Sequence, residues 1–173
     1  GIAPCPAASA SVTVGITQEP FAGNDAILNL CVSGAPVDAF PALGGADPGG
    51  TWTGPGGATF GGIFTPGADM AGLYTYTVVG TAPCPSDAAV VTITVLTDAD
   101  AGVDGASTLC STNSPVTLFG LLQGTPDPGG IWLAPNGSAF AGTFDAAVHP
   151  QGVYTYVLVV PAPCINDTAL VTM

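Results

Sequence analysis

The chain has no lysine and no arginine, against 12 acidic residues and one histidine, so its formal charge is −12 over 173 residues. Without cationic side chains it cannot neutralise a phosphate backbone, which excludes nucleic acid as a partner. A lysine Schiff base and an arginine clamp on a carboxylate are excluded for the same reason. The composition therefore removes whole classes of function before any motif is considered.

Long hydrophobic runs are also missing. Apolar runs such as residues 157–160 fall far short of the roughly 18 residues of a membrane span, so we expect no membrane insertion. Charged residues make up only 7% of the chain, whereas hydrophobic residues make up 47%, with 25 Gly and 17 Pro. This balance is typical of short strands joined by tight turns.

The sequence repeats itself with a period of 79 to 80 residues. The matching segments are 47–52 (DPGGTW) with 127–132 (DPGGIW), 72–76 (GLYTY) with 152–156 (GVYTY), and 82–84 with 162–164 (both APC). Residues 3–5 carry the same APC motif, so residues 1–18 are interpreted as the tail strand of a preceding repeat. Residues 19–99 then form one repeat and residues 100–173 another, with its last strand incomplete. We expect a segment of a longer tandem array.

The sequence pattern within each repeat is typical of β-structure. Residues 74–78 and 90–96 alternate Thr with aromatic or β-branched residues, at the period of a strand. Turn motifs recur between them at the spacing of a sandwich. The prediction is an all-β chain of tandem immunoglobulin-like sandwiches of about 80 residues each.

Four aromatic residues are predicted to define the sandwich cores. Trp52 and Trp132 each begin a short strand after a Gly-Gly turn, as a core anchor does. Tyr74 and Tyr154 fall where a tyrosine corner is expected, with hydroxyls bonded to nearby backbone. A carbohydrate-binding aromatic platform is the alternative, which the alternating register disfavours.

Cysteines recur as one early and one late residue in each repeat. Cys31 and Cys84 are 53 residues apart, and Cys110 and Cys164 are 54 apart. Disulfides within repeats, Cys31–Cys84 and Cys110–Cys164, are the natural interpretation, and they imply an oxidising compartment. Cys5 is a late cysteine whose partner is unknown.

Catalytic residues are not evident. His149 is the sole imidazole and occurs in only one repeat, beside a proline, so it is interpreted as a loop side chain. The acidic residues show no pairing typical of acid–base catalysis. We expect that the protein is not an enzyme.

Calcium is the one candidate cofactor, because hard cations prefer oxygen ligands. The carboxylates at the two repeat junctions are the candidate ligands: Asp98, Asp100 and Asp104 at one, Glu19 and Asp25 at the other. An acidic linker without bound metal is the alternative.

Glycosylation is a further expectation. Asn136 begins one Asn-x-Ser/Thr sequon, and a second ends at Thr168. Residues 167–169 (DTA) also resemble the short Asp-Thr-aliphatic acceptor of Bacteroidota surface proteins, which makes Thr168 a candidate for O-linked sugar.

The order of motifs in the repeat resembles the Ig-like repeats of very large Bacteroidota surface proteins. The resemblance rests on PGGxW, GxYTYxV, APC and VTITV, which follow one another across essentially the whole chain. Such proteins are gliding-motility-associated or adhesin-like and are exported by type IX secretion. The resemblance implies an extracellular, cell-surface protein.

Two functions follow as hypotheses. The first is a structural segment of a surface-attached fibre or adhesin stalk, whose partners are neighbouring repeats and identical chains in a filament. The second is an adhesive module whose exposed turns, residues 54–57 and 135–137, bind a glycan or another surface. Aromatics that recur in register favour the first.

Overall fold

A computed structural model describes Pro4, residues 8–112 and residues 115–173. Within these residues, fourteen strands account for the regular structure, together with three short 3-10 helices at Phe40–Leu43, Pro55–Gly57 and Leu118–Leu121. The first seven strands are β1 (Ala26–Cys31), β2 (Val37–Asp38), β3 (Thr51–Thr53), β4 (Thr59–Phe60), β5 (Ile63–Phe64), β6 (Gly72–Val78) and β7 (Asp87–Leu96). The others are β8 (Gly105–Ala106), β9 (Val116–Thr117), β10 (Ile131–Leu133), β11 (Ala139–Phe140), β12 (Thr143–Phe144), β13 (Val153–Leu158) and β14 (Asp167–Thr172). The all-β prediction is confirmed.

The strands form the same pair of sheets twice. A five-stranded sheet has the order β1-β7-β6-β3-β4, and its counterpart has the order β8-β14-β13-β10-β11. A two-stranded sheet accompanies each, β2 with β5 and β9 with β12. Neighbouring strands are antiparallel except that β1 runs parallel to β7 and β8 runs parallel to β14. The result is a sandwich-like layout that repeats along the chain.

Each core lies between a large sheet and its small partner sheet. In the first unit Phe64 of β5 packs edge-on against Tyr74 of β6, with ring centroids 5.6 Å apart. In the second unit Phe144 and Tyr154 repeat the contact at 5.5 Å. Tyr74 and Tyr154 are buried because alternate residues of β6 and β13 point to one face of the large sheet, where Phe64 and Phe144 of the small sheets cover them.

The segment from residue 8 to residue 18 has no regular structure. Its sequence matches that of β7, where Val91 and Ile93 are fully buried. The matching Val12 and Val14 are 88% and 81% exposed, and Ile16 is 95% exposed. A strand needs a hydrogen-bonded neighbour and an apolar layer to cover it, and among the described residues this segment has neither. Its assignment to a preceding repeat stays a prediction.

Candidate functional site

A disulfide joins the two units, from Cys31 to Cys164, with the Cα atoms 5.2 Å apart. The expected pairings within repeats, Cys31–Cys84 and Cys110–Cys164, are therefore wrong. The presence of a disulfide is confirmed, but the bond spans 133 residues and links one repeat to the next. It is the feature around which the candidate site is built.

The directions of the strands explain why the cysteines do not pair within repeats. Cys31 lies at the end of β1, opposite Leu96 at the end of β7, because these two strands run parallel. Cys84 lies just before Asp87, where β7 begins. The length of a ten-residue strand, about 30 Å, separates the two ends, whereas cysteines can bond only when their Cα atoms lie within about 7 Å. The same direction of β8 and β14 places Cys110 and Cys164 at opposite ends of the second sheet.

The turn before β14 brings Cys164 to the junction. Its backbone N–H donates to the carbonyl of Pro161 at 3.1 Å, and the N–H of Val160 donates to Asn166 Oδ1 at 3.0 Å, which closes the loop. The Cys164 sulfur lies 3.9 Å from the carbonyl oxygen of Leu96. The loop of the second repeat therefore rests against the last residue of β7 in the first repeat.

Asp98 completes the surroundings of the bond. Its Oδ1 lies 2.7 Å from Cys31 Sγ and accepts a hydrogen bond from Ser33 Oγ at 3.0 Å. The two cysteines and Asp98 line an open groove of about 470 Å³ between the repeats. Cys31 and Cys164 are each 8% exposed, so solvent has limited access to the sulfurs.

Those three residues are also the one group of three or more His, Cys, Asp or Glu side chains in the described part of the chain close enough to share a metal ion. Both sulfurs belong to the disulfide, so neither is available as a thiolate ligand. The arrangement is a covalent joint between modules with an acidic neighbour.

The five carboxylates suggested as calcium ligands are dispersed by the fold. Asp25 accepts from the N–H of Val90 at 2.7 Å, and Asp104 accepts from the N–H of Leu170 at 2.8 Å. Asp100 accepts from the N–H of Gly102 at 2.8 Å, while Glu19 lies by an exposed loop. Asp25, Asp100 and Asp104 are thus each engaged with backbone. The structure does not bring Asp98, Asp100 and Asp104 together as one ligand set. Calcium binding stays a prediction.

The four aromatic residues assigned to the cores lie in or against them. Trp132 is 8% exposed and Trp52 is half-buried, packed against Phe60 and Tyr76. The hydroxyl of Tyr74 donates to the carbonyl of Met70 at 2.6 Å, and that of Tyr154 donates to the carbonyl of Pro150 at 2.9 Å.

The phenol pKa values of the two tyrosines respond to these surroundings. Burial raises the pKa of Tyr74, with the Asp69 carboxylate adding to the effect, and burial alone raises that of Tyr154. Both shifts keep the phenols neutral and able to donate their hydrogen bonds.

A second pair of tyrosines was missed by the sequence reasoning. The Tyr76 hydroxyl donates to the carbonyl of Asp47 at 2.8 Å and accepts from the N–H of Gly50 at 2.7 Å. The Tyr156 hydroxyl does the same with Asp127 and Gly130, each at 2.8 Å. The conspicuous signal was the invariant spacing between the DPGG turn and the second tyrosine of the YTY motif.

His149 has a structural position. Its Nδ1 accepts a hydrogen bond from the N–H of Asp145 at 2.8 Å. Its ring packs against Phe140 and Phe144, with centroids 5.1 Å and 5.8 Å away. An imidazole whose Nδ1 lone pair is engaged in this way holds a loop together.

The two candidate glycosylation residues are exposed. Asn136 Oδ1 accepts from the N–H and the hydroxyl of Ser138, at 3.0 Å and 2.7 Å, within a turn. Thr168 lies on β14, opposite Val157 of β13. Cys5, the remaining residue of the cysteine pattern, lies outside the described residues.

Comparison with protein-family models gives no match for this chain, and comparison with curated proteins gives none either. No helix within the described ranges is long and apolar enough to cross a membrane. The joint and the repeat are therefore the features of the molecule that bear on its function.

Proposed function

We propose that the chain is a structural segment of a secreted, surface-attached fibre or adhesin stalk, in which Ig-like modules act as spacers. One observation carries the proposal: the disulfide from Cys31 to Cys164 joins successive repeats. A bond within a module stabilises that module alone. A bond between modules fixes how one follows the next, which is the property that a stalk requires.

The recurring polar residues support a scaffold rather than a recognition surface. Asp87 accepts from the N–H of Ala22 at 2.7 Å, and Asp167 accepts from that of Ala101 at 2.8 Å. Asp47 accepts from the N–H of Phe21 at 2.9 Å. Carboxylates used in this way satisfy backbone donors at the start of each module, so their recurrence has a structural cause.

The chemistry of the disulfide supports an extracellular location for the protein. Disulfides persist in oxidising compartments, so a module joint made of one suits an extracellular protein. The repeat motifs resemble those of type IX-secreted Bacteroidota surface proteins, and that origin forms part of the same proposal. The net charge of −12 without any cationic side chain favours solubility for a long array.

The joint can be tested by comparing the oxidised chain with the Cys31→Ser/Cys164→Ser variant. Closing a loop of 133 residues contributes about 5 kcal/mol in the chain-entropy model. We expect the variant to unfold at lower urea concentration and to be cut faster by Asp-N endoproteinase at the junction near Asp98 and Asp100. Cys84→Ser is the matched control, because it removes a cysteine without opening the bond. Equal cutting rates at the junction would contradict a stiff joint.

The location can be tested on intact source cells. An antibody against this chain should label them before permeabilisation, along extended structures in negative-stain images. Labelling that requires permeabilisation would overturn the proposal of a surface fibre, whatever the state of the disulfide.

A further inference from the structure

Cys84 occupies the place in the first repeat that Cys164 occupies in the second. The N–H of Cys84 donates to the carbonyl of Thr81 at 2.9 Å, as that of Cys164 does to Pro161 at 3.1 Å. Gly80 donates to Ser86 Oγ at 3.3 Å, which closes the loop in the same way as the Val160–Asn166 bond. The two cysteines therefore sit on equivalent turns, yet Cys164 is bonded and Cys84 is a half-buried thiol.

The surroundings of the Cys84 sulfur are also equivalent. It lies 3.5 Å from the carbonyl oxygen of Thr17, whereas the Cys164 sulfur lies 3.9 Å from that of Leu96. Thr17 and Leu96 are 79 residues apart, the repeat period. Glu19 is the residue equivalent to Asp98, which lies beside the disulfide. An acidic residue therefore comes shortly after Thr17, as it does after Leu96.

The two sites differ in the strand that carries the partner cysteine. Cys31 reaches Cys164 because β1 pairs with β7 in parallel, with Ala26 opposite Val91 and Cys31 opposite Leu96. The residues equivalent to Val91 and Leu96 are Val12 and Thr17, which belong to no strand. Val12, Val14 and Ile16 are exposed there, although their counterparts Val91 and Ile93 lie in a core. An apolar stripe at strand period therefore lies uncovered beside an unbonded thiol.

We infer that residues 8–18 are the last strand of another module of this repeat type, and that Cys84 forms a disulfide with the early cysteine of that module. The register of β1 on β7 places that cysteine opposite Thr17, next to Cys84. The inference deepens the proposed function, on which it rests: the joint between modules is itself a repeating element. The partner is defined by chemistry, a thiol on an edge strand parallel to residues 12–17.

The bond forms by thiol–disulfide exchange with a low-molecular-weight disulfide such as oxidised glutathione. The Cys84 thiolate attacks one glutathione sulfur, forms a mixed disulfide and releases one glutathione thiolate. The thiolate of the early cysteine then attacks Cys84 Sγ and releases the second glutathione. Two thiols of the protein are oxidised, one glutathione disulfide is reduced to two thiols, and the two protons pass to the released glutathione.

An extended chain tests the inference. Residues 20–87 are placed directly before residue 9, so that residues 9–18 follow Asp87 in the register of residues 88–97. The added unit then has the residues of every strand, the last one supplied by residues 9–18. The chain is refolded in a glutathione redox buffer, and its disulfides are mapped by mass spectrometry without reduction.

We expect the added copy of Cys31 to be linked to Cys84, and the amides of Val12 to Thr17 to exchange hydrogen at least 100-fold more slowly than in the original chain. The same extended chain with Cys84→Ser is the control and should show no such link. Monomers on a non-reducing gel indicate pairing along one polypeptide, whereas a ladder indicates pairing between copies; both outcomes support the bond.

Two outcomes overturn the inference. In one, the Cys31–Cys164 bond is retained but Cys84 remains a thiol or holds only glutathione, which leaves the proposed function standing. In the other, residues 12–17 exchange as fast as before, so the segment completes no module. Loss of the Cys31–Cys164 bond itself would count against the proposed function instead.

Discussion

His149 in the second repeat accepts the same backbone hydrogen bond that Asp69 accepts in the first. The donors are the N–H of Asp145 and the N–H of Thr65, at 2.8 Å and 2.7 Å. An imidazole nitrogen and a carboxylate oxygen thus serve one loop geometry at equivalent places. The acceptor, rather than the residue type, is what this turn requires.

That equivalence predicts the effect of substitutions at His149. His149→Ala should lower the free energy of unfolding by about 1–3 kcal/mol, because it leaves the Asp145 N–H without its acceptor. His149→Asp should lie between the wild type and His149→Ala, since it restores an acceptor but loses the ring contacts with Phe140 and Phe144. Urea unfolding measures all three, and equal losses for both variants would show that ring packing alone matters.

Asp98 should slow reduction of the disulfide. A carboxylate 2.7 Å from Cys31 Sγ opposes both the approach of a thiolate and the build-up of charge on the leaving sulfur. Removing a charge at this range is worth about 1 kcal/mol in water, so Asp98→Asn should raise the rate of reduction by dithiothreitol about five-fold at low salt.

Asp100→Asn is the matched control, because it removes the same charge from the same junction while its carboxylate bonds to Gly102. The difference between the two variants should shrink as salt is added. If both variants are reduced at the same rate, net charge rather than the local contact governs the reaction.

The raised pKa values of Tyr74 and Tyr154 predict a loss of stability at high pH. In the unfolded chain these phenols titrate near 10.0, and in the folded chain their pKa values lie higher. Their contribution to the free energy of unfolding is therefore complete below the unfolded-state pKa and is lost as the pH rises through the folded-state pKa. Unfolding in urea at about pH 8 and about pH 11 measures the difference. The Tyr74→Phe/Tyr154→Phe variant should show a smaller decrease, and an unchanged decrease would assign the effect to other groups.

Gly130 should tolerate no side chain. A Cβ atom there would lie 2.6 Å from Tyr156 Cζ and 2.6 Å from the carbonyl oxygen of Val157. Gly130→Ala should cost about 1–3 kcal/mol, because it displaces a buried ring and the hydrogen bonds of its hydroxyl. Gly61→Ala is the control, since open space surrounds that position. Thermal unfolding compares them, and equal melting temperatures would contradict the steric argument.

The all-β class and the repeat were predictable because both depend on local pattern. The alternation of Tyr and Thr in β6 places Tyr74 and Tyr76 on the buried face, as a strand must. The partner of Cys31 was not predictable in this way. Each repeat has one early and one late cysteine, so counting fits bonds within repeats and bonds between repeats equally well. The choice depends on β1 running parallel to β7, a tertiary fact that carries Cys31 away from Cys84.

The place of His149 could have been found by the same alignment that revealed the repeat, because it falls where Asp69 stands. The contacts of the acidic side chains could not have been found from the alignment. Whether Asp25 faces a cation or a backbone N–H depends on the distance to β7, which composition does not contain.

The bond between Cys31 and Cys164 also decides how the chain would respond to a pulling force. Tension applied outside these two residues passes through the sulfurs and bypasses the 133-residue span between them. Even with both sandwiches unravelled, roughly 450 Å of contour length stays locked behind the bond. Under load only the residues outside the bond can extend the chain, until a reductant opens the bond and releases the span between the two cysteines.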